Sequence, residues 1–478
     1  MRYGLQVREA SDRAAAAESR TLPGISPAVV LAAIVLFGLV LRLACWTGLI
    51  GSDDLRYAHY ANALAEGRYT DTLAEARRTE SVHHGLRYGV ILPVAGIYRL
   101  GGISERSTII LPLLASTLSL PLMAAVARRL FDTRVAIIAV LLYATFPMQL
   151  RLATTLLPEP VAECFILMAL LCYIHARERG AALWFAAGAL SGIAYLSKEP
   201  ALFAGVALGV HALWERRWHG AIVFALGVGA VVAAEHAYYI FWQGDLLLRP
   251  HATQLHRLDD SPPPVLGSLL YGLRQNDYPQ TMLVPGLAFG LHSLLCVIGA
   301  AAALALKPRR PVILLLLVSA VPLLYLNLGS WSLQQYVALP KEPRYLMLVY
   351  PPLMILTAAA LSRALDIRPM LLKPLAVLLA IVMCVGAASG LATRGRIARA
   401  EEMAVLREIV RAARTQPDQL IYSADGRWQR ALLVFDPSLV SSSPDIATIV
   451  LERGSLGLPV IQPGPAARHA GQANDEAQ

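Results

Sequence analysis

Two adjacent carboxylates, Asp53 and Asp54, follow directly on the first long apolar run of the chain. A charge left in hydrocarbon is costly, so the pair belongs at an aqueous interface or in a wet cavity. Such acids can act as a general base toward a hydroxyl or hold a divalent metal ion, and the sequence leaves both roles open. Three further polar features interrupt apolar stretches. Glu159 stands in Leu157-Pro158-Glu159-Pro160, Lys198 in Ser197-Lys198-Glu199-Pro200, and Arg344-Tyr345 after Glu342-Pro343. Cations placed in this way suit a phosphate, and Arg presents it with a fixed fork of donors. Each feature also has an ordinary reading. Asp53-Asp54 can be a solvated loop end, and Glu159 a helix start favoured by the dipole. Lys198 can pair with Glu199 at a surface, and Arg344-Tyr345 can be an interfacial anchor.

The rest of the chain constrains where these residues sit. Of its 478 residues, 56% are hydrophobic, and the mean hydropathy is +0.52. This excludes an ordinary soluble domain and predicts an all-α polytopic membrane protein. The net charge is +9. In so apolar a chain, that charge is explained by membrane topology and anionic lipid rather than by nucleic acid. The five cysteines lie inside apolar runs without metal-ligand spacing and read as packing residues. No Gly-rich phosphate loop, Walker lysine or nucleophile elbow occurs, so nucleotide binding has no support.

About eleven transmembrane helices are predicted, near 28–50, 107–127, 135–150, 160–176, 181–197, 199–214, 219–241, 282–306, 311–329, 345–362 and 371–390. The basic connectors Arg128-Arg129, Arg177 to Arg179, Arg216-Arg217, Lys307 to Arg310 and Arg363 to Lys373 all fall on one side of this alternating path. With the N-terminus cytoplasmic, that side is the inside of a plasma (inner) membrane. The segments 51–106, 151–158, 243–280 and 330–344 then face outward, as does everything after about 390.

The first outer loop is long. Tyr57 to Ala65 can form an amphipathic helix, and the apolar run ending at Tyr98-Arg99, about 13 residues, is too short to span and is predicted to lie in the interface or re-enter. Residues 1–27 read as a disordered basic segment and 28–390 as the membrane domain. Residues 391–462 read as a small extracytoplasmic α/β appendage, with a helix over 401–413 and strands at 420–423 and 446–451; 463–478 read as a disordered tail.

The arrangement Asp53-Asp54-x-x-Tyr57, followed by Ala61 and Gly67-x-Tyr69, resembles the first-loop signature of polyprenyl-phosphate-dependent glycosyltransferases of the C-type fold. These include protein O-mannosyltransferases and the lipid A aminoarabinose transferase. The stretch His84-Gly85-Leu86-Arg87-Tyr88, with Gly101-Gly102 and Leu111-Pro112 after it, resembles the element that follows in that family, although the family's prolines after the histidine are missing. The spacing of Pro147, Pro158 and Glu159, the Leu196-x-Lys198-x-Pro200 element and Arg344-Tyr345 before Pro351-Pro352 are similar to it as well.

The resemblance covers roughly 28–362 and implies transfer of a hexose or pentose from a polyprenyl-phosphate carrier to a lipid, glycan or protein acceptor on the outer face. It implies Asp53 as catalytic base, with Asp54 beside it and Glu159 positioning the acceptor or tuning the base. Lys198 and Arg344 would bind the donor phosphate, and Tyr57, His83, His84 and Tyr345 would touch substrate. No nucleotide cofactor is implied, and a divalent ion on the aspartates stays open. Glu163, one turn beyond Glu159, is a weaker candidate. His236, Tyr238, Tyr239 and Trp242 read as interfacial anchors, and His251 and His256 as solvated loop residues. The alternative function is a polytopic secondary transporter or lipid flippase. That class would place charges near span centres and show paired halves.

Overall fold

The computed structural model describes residues 26–51, 53–78, 82–255, 289–330, 339, 342–394, 400–416, 419–453 and 458–465. His256, the N-terminal segment to residue 25 and the end of the tail from residue 466 lie outside the described residues, as does most of the expected third outer loop.

Ser26 caps the first helix, α1 (Pro27–Ala44), by accepting from Val29 N, and Pro27 occupies the first helical position. The first outer loop is mainly helical: α2 (Asp53–Ala65), α3 (Tyr69–Arg78), a 3₁₀ turn at Val82–His84, and α4 (Tyr88–Gly101). Helix α2 begins earlier than Tyr57, and its first residue is Asp53. Helix α4 exposes Leu92 and Leu100, as an interfacial helix would. There follow α5 (Glu105–Leu130), α6 (Thr133–Ala144), α7 (Pro147–Leu152), α8 (Pro158–Arg179), α9 (Ala181–Ser197), α10 (Ala201–Trp214) and α11 (Trp218–Tyr238). After these come α12 (Leu248–Leu255), α13 (His292–Ala303), α14 (Arg309–Leu328), α15 (Tyr350–Ile367) and α16 (Leu372–Arg394).

Six of these helices, α1, α5, α8, α11, α14 and α16, are long and apolar enough to cross a membrane. Every stretch read as a span holds a helix, but several are shorter than expected. The predicted span 135–150 breaks after Ala144, and Pro147 starts the separate short helix α7. The span predicted to open at Tyr345 begins as a 3₁₀ turn over Pro343–Leu348, because consecutive prolines at 351 and 352 suit the first turn of α15 and not the interior of a longer helix. Helices α9 and α11 pack backbone to backbone. A Cβ at Gly188 would lie 1.9 Å from the Phe224 carbonyl oxygen, so only glycine permits this contact.

Helix α17 (Ala400–Ala413) opens the C-terminal unit, which continues with β1 (Ile421–Ser423), α18 (Gly426–Phe435), β2 (Ile449–Arg453) and β3 (Pro459–Pro463). The sheet order is β1-β2-β3, with β1 and β2 parallel and β2 and β3 antiparallel. Helix α18 and strand β3 were not expected from the sequence. Trp428, fully buried on α18, anchors this small core. A latch ties the unit to the segment before Asp53. Glu105 accepts from Leu49 N at 2.9 Å and from Arg407 Nε at 3.1 Å, while Arg407 Nη2 donates to the Leu49 carbonyl.

Candidate functional site

Four residues from distant parts of the chain converge at one end of the bundle. Asp53 comes from the start of α2, Glu159 from the first turn of α8, Lys198 from the end of α9, and Arg344 from the 3₁₀ turn before α15. Arg344 Nη2 donates to Asp53 Oδ2 at 2.9 Å, and its Nε lies 3.6 Å from Glu159 Oε1 and 3.1 Å from Glu342. Lys198 Nζ donates to the same Glu159 oxygen at 2.8 Å and sits 4.0 Å from the Tyr345 ring centroid, a cation–π distance. The side chains are layered by depth. Asp53 and Arg344 are 26% and 17% exposed, whereas Glu159 and Lys198 are only 1% and 4% exposed. An incoming group therefore meets Arg344 and Asp53 first.

His84 completes the Asp53 environment, its Nε2 lying 3.1 Å from Asp53 Oδ1. Burial pushes the His84 pKa down to about 4, against the opposing hydrogen bond from Asp53, so the ring is neutral at pH 7. Asp53 is acceptor-only, so Nε2 carries the proton and donates to it, leaving Nδ1 to accept from Arg56 Nη1 at 3.4 Å. Burial of Asp53 acts to raise its pKa, but the His84 hydrogen bond and the Arg344 charge outweigh this and hold it well below the carboxylate range. Arg344 loses by burial and gains more from Glu159, so its pKa stands above the ordinary value. Lys198 is pushed down to about 8 by burial, which the charge of Glu159 only partly offsets.

A second ionic layer lies behind the first. Glu199 does not pair with Lys198; it receives Arg249 at 2.8 Å and Arg87 at 3.4 Å. Arg249 Nε also donates to Glu235 at 2.8 Å, and Tyr239 OH donates to Glu235 at 2.5 Å. Glu235 and Arg249 were not singled out from the sequence, and Arg87 and Glu199 entered only as neighbours of His84 and Lys198. Glu235 carried a usable signal, a single acid inside an apolar run. Arg151 was also missed. It stands on α7 beside Arg344, its buried Nε without a hydrogen-bond partner among the described residues.

Other expected residues lie elsewhere. Asp54 points away from Asp53, is fully buried and accepts from Ile50 N at 2.6 Å, so the two acids do not face a common point. Tyr57 is fully buried and its hydroxyl receives Arg87, which removes it from any open surface. His83 lies against His84 with ring centroids 3.8 Å apart and planes tilted by 46°, and Tyr345 lies partly buried over Lys198. Glu163 belongs to a separate buried network with Tyr143 and Gln149. Tyr239 is buried on Glu235 and is no anchor, whereas Phe241 and Trp242 are exposed. His251 pairs with Asp245 at the surface. Among the described residues no group of three or more His, Cys, Asp or Glu could hold a metal ion. Asp53 already engages His84 and Arg344, so its surroundings do not fit one.

Residues 91–242 match the family model for dolichyl-phosphate-mannose-protein mannosyltransferase, a stretch that carries Glu159 and Lys198. No curated protein matches the chain by sequence. Among solved structures, ArnT from Cupriavidus metallidurans in the apo state is similar with a TM-score of 0.56 at 16% identity, covering 89% of this chain and 92% of that one. The same protein bound to undecaprenyl phosphate gives a TM-score of 0.54, also at 16% identity and with the same coverage of both chains. The oligosaccharyltransferase from Archaeoglobus fulgidus, in complex with zinc and sulfate, gives a TM-score of 0.53 at 14% identity, covering 87% of this chain but only 62% of that longer one. The chain thus has the fold of the multi-pass C-type membrane glycosyltransferases, as the resemblance implied; the family-model match begins at residue 91, after the first-loop signature around Asp53.

Proposed function

We propose that this protein transfers a hexose or pentose from a polyprenyl-phosphate carrier to a hydroxyl of a lipid, glycan or protein acceptor. It does so at the outer face of the plasma (inner) membrane, with an eleven-span path, the N-terminus inside and the C-terminal unit outside. The observation that carries this reading is the bridge made by Arg344, which touches Asp53 on one side and the Glu159–Lys198 pair on the other. A base and phosphate-binding cations are thereby held within one ionic cluster.

The chemistry follows from the layering. The carrier phosphate meets Arg344 first, with Lys198 beneath it. As the guanidinium turns to the phosphate, Asp53 loses one of the two restraints that weaken it as a base, the other being the His84 hydrogen bond. The acceptor hydroxyl gives its proton to Asp53 and its oxygen bonds to the anomeric carbon. The bond from that carbon to the phosphate oxygen breaks, and the electron pair leaves with the carrier phosphate. Arg344 and Lys198 stabilise that developing charge. His84 keeps Asp53 oriented, and Glu159, whose buried Oε2 has no hydrogen-bond partner among the described residues, can receive a second acceptor hydroxyl. The donor stores the transfer energy, so no nucleotide is needed. The test is sugar transfer from a synthetic polyprenyl-phosphate sugar in liposomes, comparing wild type with Asp53→Asn at matched membrane levels. Equal rates would remove Asp53 from the chemistry.

A further inference from the structure

The C-terminal unit is packed on the active-site loop, with α18 against α2. Arg56 lies on α2 three positions after Asp53, and its Nη1 is 3.4 Å from His84 Nδ1. His84 in turn donates to Asp53. From α18, Arg430 comes near the same patch: Arg56 is its strongest charged neighbour, Asp425 the next, with Tyr60 close by. Arg430 is likewise the strongest charged neighbour of His59. Two guanidiniums and a histidine thus gather next to the Asp53–His84 pair.

Three acids of the C-terminal unit bond to other partners, Asp425 among them although its charge also reaches Arg430. Asp425 receives Arg453 and caps the Arg427 N–H at 2.9 Å, Glu402 receives Arg427 at 3.4 Å, and Asp436 receives Arg414 at 2.6 Å. Among the described residues, no carboxylate lies within ion-pair distance of Arg56 or Arg430, and the buried Nε of Arg430 has no hydrogen-bond partner. Burial and the Arg56 charge push Arg430 below its ordinary pKa. Like charges held together and partly shielded from water repel, and an anion between them would relieve this.

We propose that Arg56, Arg430 and His59 form an anion subsite beside Asp53, and that the acceptor carries a phosphate group which docks there while its hydroxyl reaches Asp53. The part of the proposal that concerns the acceptor rests on Asp53 being the base; the anion subsite does not. The C-terminal unit then selects the acceptor, and the membrane domain handles the donor. Two guanidinium forks match a phosphate better than a single carboxylate. Such a phosphate can belong to a lipid headgroup or to a soluble or glycan-borne acceptor.

The experiment titrates inorganic phosphate into the full-length protein in neutral detergent after saturation with undecaprenyl phosphate, so that Arg344 is already occupied. Binding is read by calorimetry. Wild type should bind phosphate, Arg430→Gln should weaken it about tenfold or more, and Arg430→Lys should stay within about threefold of wild type. Unchanged thermal unfolding of the two variants without phosphate separates this from a folding defect. A second arm repeats the titration in nanodiscs of phosphatidylcholine with or without phosphatidylglycerol. Competition by phosphatidylglycerol in wild type assigns the site to a lipid headgroup, and its absence assigns it to a soluble or glycan-borne phosphate. No phosphate binding by wild type, or equal binding by Arg430→Gln, would overturn the subsite. Failure of undecaprenyl phosphate to bind would count against the donor reading instead, and the Arg430 dependence would still be measurable.

Discussion

Arg344 donates to Asp53 at 2.9 Å across 291 positions of sequence, joining the 3₁₀ turn before α15 to the first acid of the outer loop. The contact makes Asp53 a carboxylate that is ionised yet restrained. Its basicity is restrained by the His84 hydrogen bond and by the Arg344 charge.

Replacing Asp53 by Asn keeps the shape and removes the proton acceptor. Transfer should fall roughly a hundredfold or more, the usual scale for losing acid–base catalysis, while membrane insertion stays intact. Asp54→Asn should act through stability instead, because Asp54 holds the Ile50 N–H. Rates at matched protein level, together with thermal unfolding, distinguish the two.

Arg344→Gln should weaken donor use by about tenfold to a hundredfold, the effect of losing a charge-assisted contact worth about 1.5–3 kcal/mol. Lys198→Met alone would leave the buried Glu159 with only its 3.6 Å contact to Arg344 and so lose stability as well. The double variant Lys198→Met with Glu159→Gln removes that defect and isolates the cation. Undecaprenyl phosphate affinity measured for each variant checks this, and wild-type affinity in both would reduce the two cations to a structural role.

Lys198 is pushed down to about 8 by burial. Its charge is present below that pH and is lost as the pH rises through it. Donor binding should therefore decline across an alkaline limb centred near 8. Lys198→Arg should move that limb upward, since a guanidinium stays charged. A flat profile in wild type to well above that limb would show that Lys198 does not hold the phosphate.

The latch of Glu105, Arg407 and Leu49 sets the segment that leads to Asp53. Arg407→Ala should loosen it, with faster hydrogen exchange over residues 45–51 and a several-fold fall in transfer, but with donor affinity retained. Unchanged exchange in that segment would mean the C-terminal unit does not position the loop.

Tags at Gly67 and Ser443 should report the outer face, and a tag at Asp132 the cytoplasm, as the alternating path of basic connectors requires. Opposite locations for Gly67 and Ser443 would break that path.

The individual site residues were legible because charge in an apolar chain is conspicuous. Asp53, Glu159, Lys198 and Arg344 each stand at the end of an apolar run, two of them directly beside a proline, where charge can avoid hydrocarbon. The alternating basic connectors predict that they share one side of the membrane. The helices of the membrane domain were legible for the same reason, although their lengths were not. The break after Ala144 and the 3₁₀ start at Pro343 depend on packing around particular prolines.

The partners of these residues were not legible, because ion pairs form between segments that only the folded bundle brings together. Lys198 selects Glu159, 39 positions away, over its neighbour Glu199, which turns to Arg87 and Arg249. Asp53 and Asp54 are adjacent in sequence, but at the start of one helix they point in different directions, one to Arg344 and one to the backbone of Ile50. The position of Arg430 over α2 was hidden altogether, since it depends on how a separate α/β unit docks. Sequence determined which side chains must avoid lipid, and its basic connectors predict that these share one side of the membrane. Tertiary structure decided which charge neutralises which, because that choice is set by distances across helix ends and not by order along the chain.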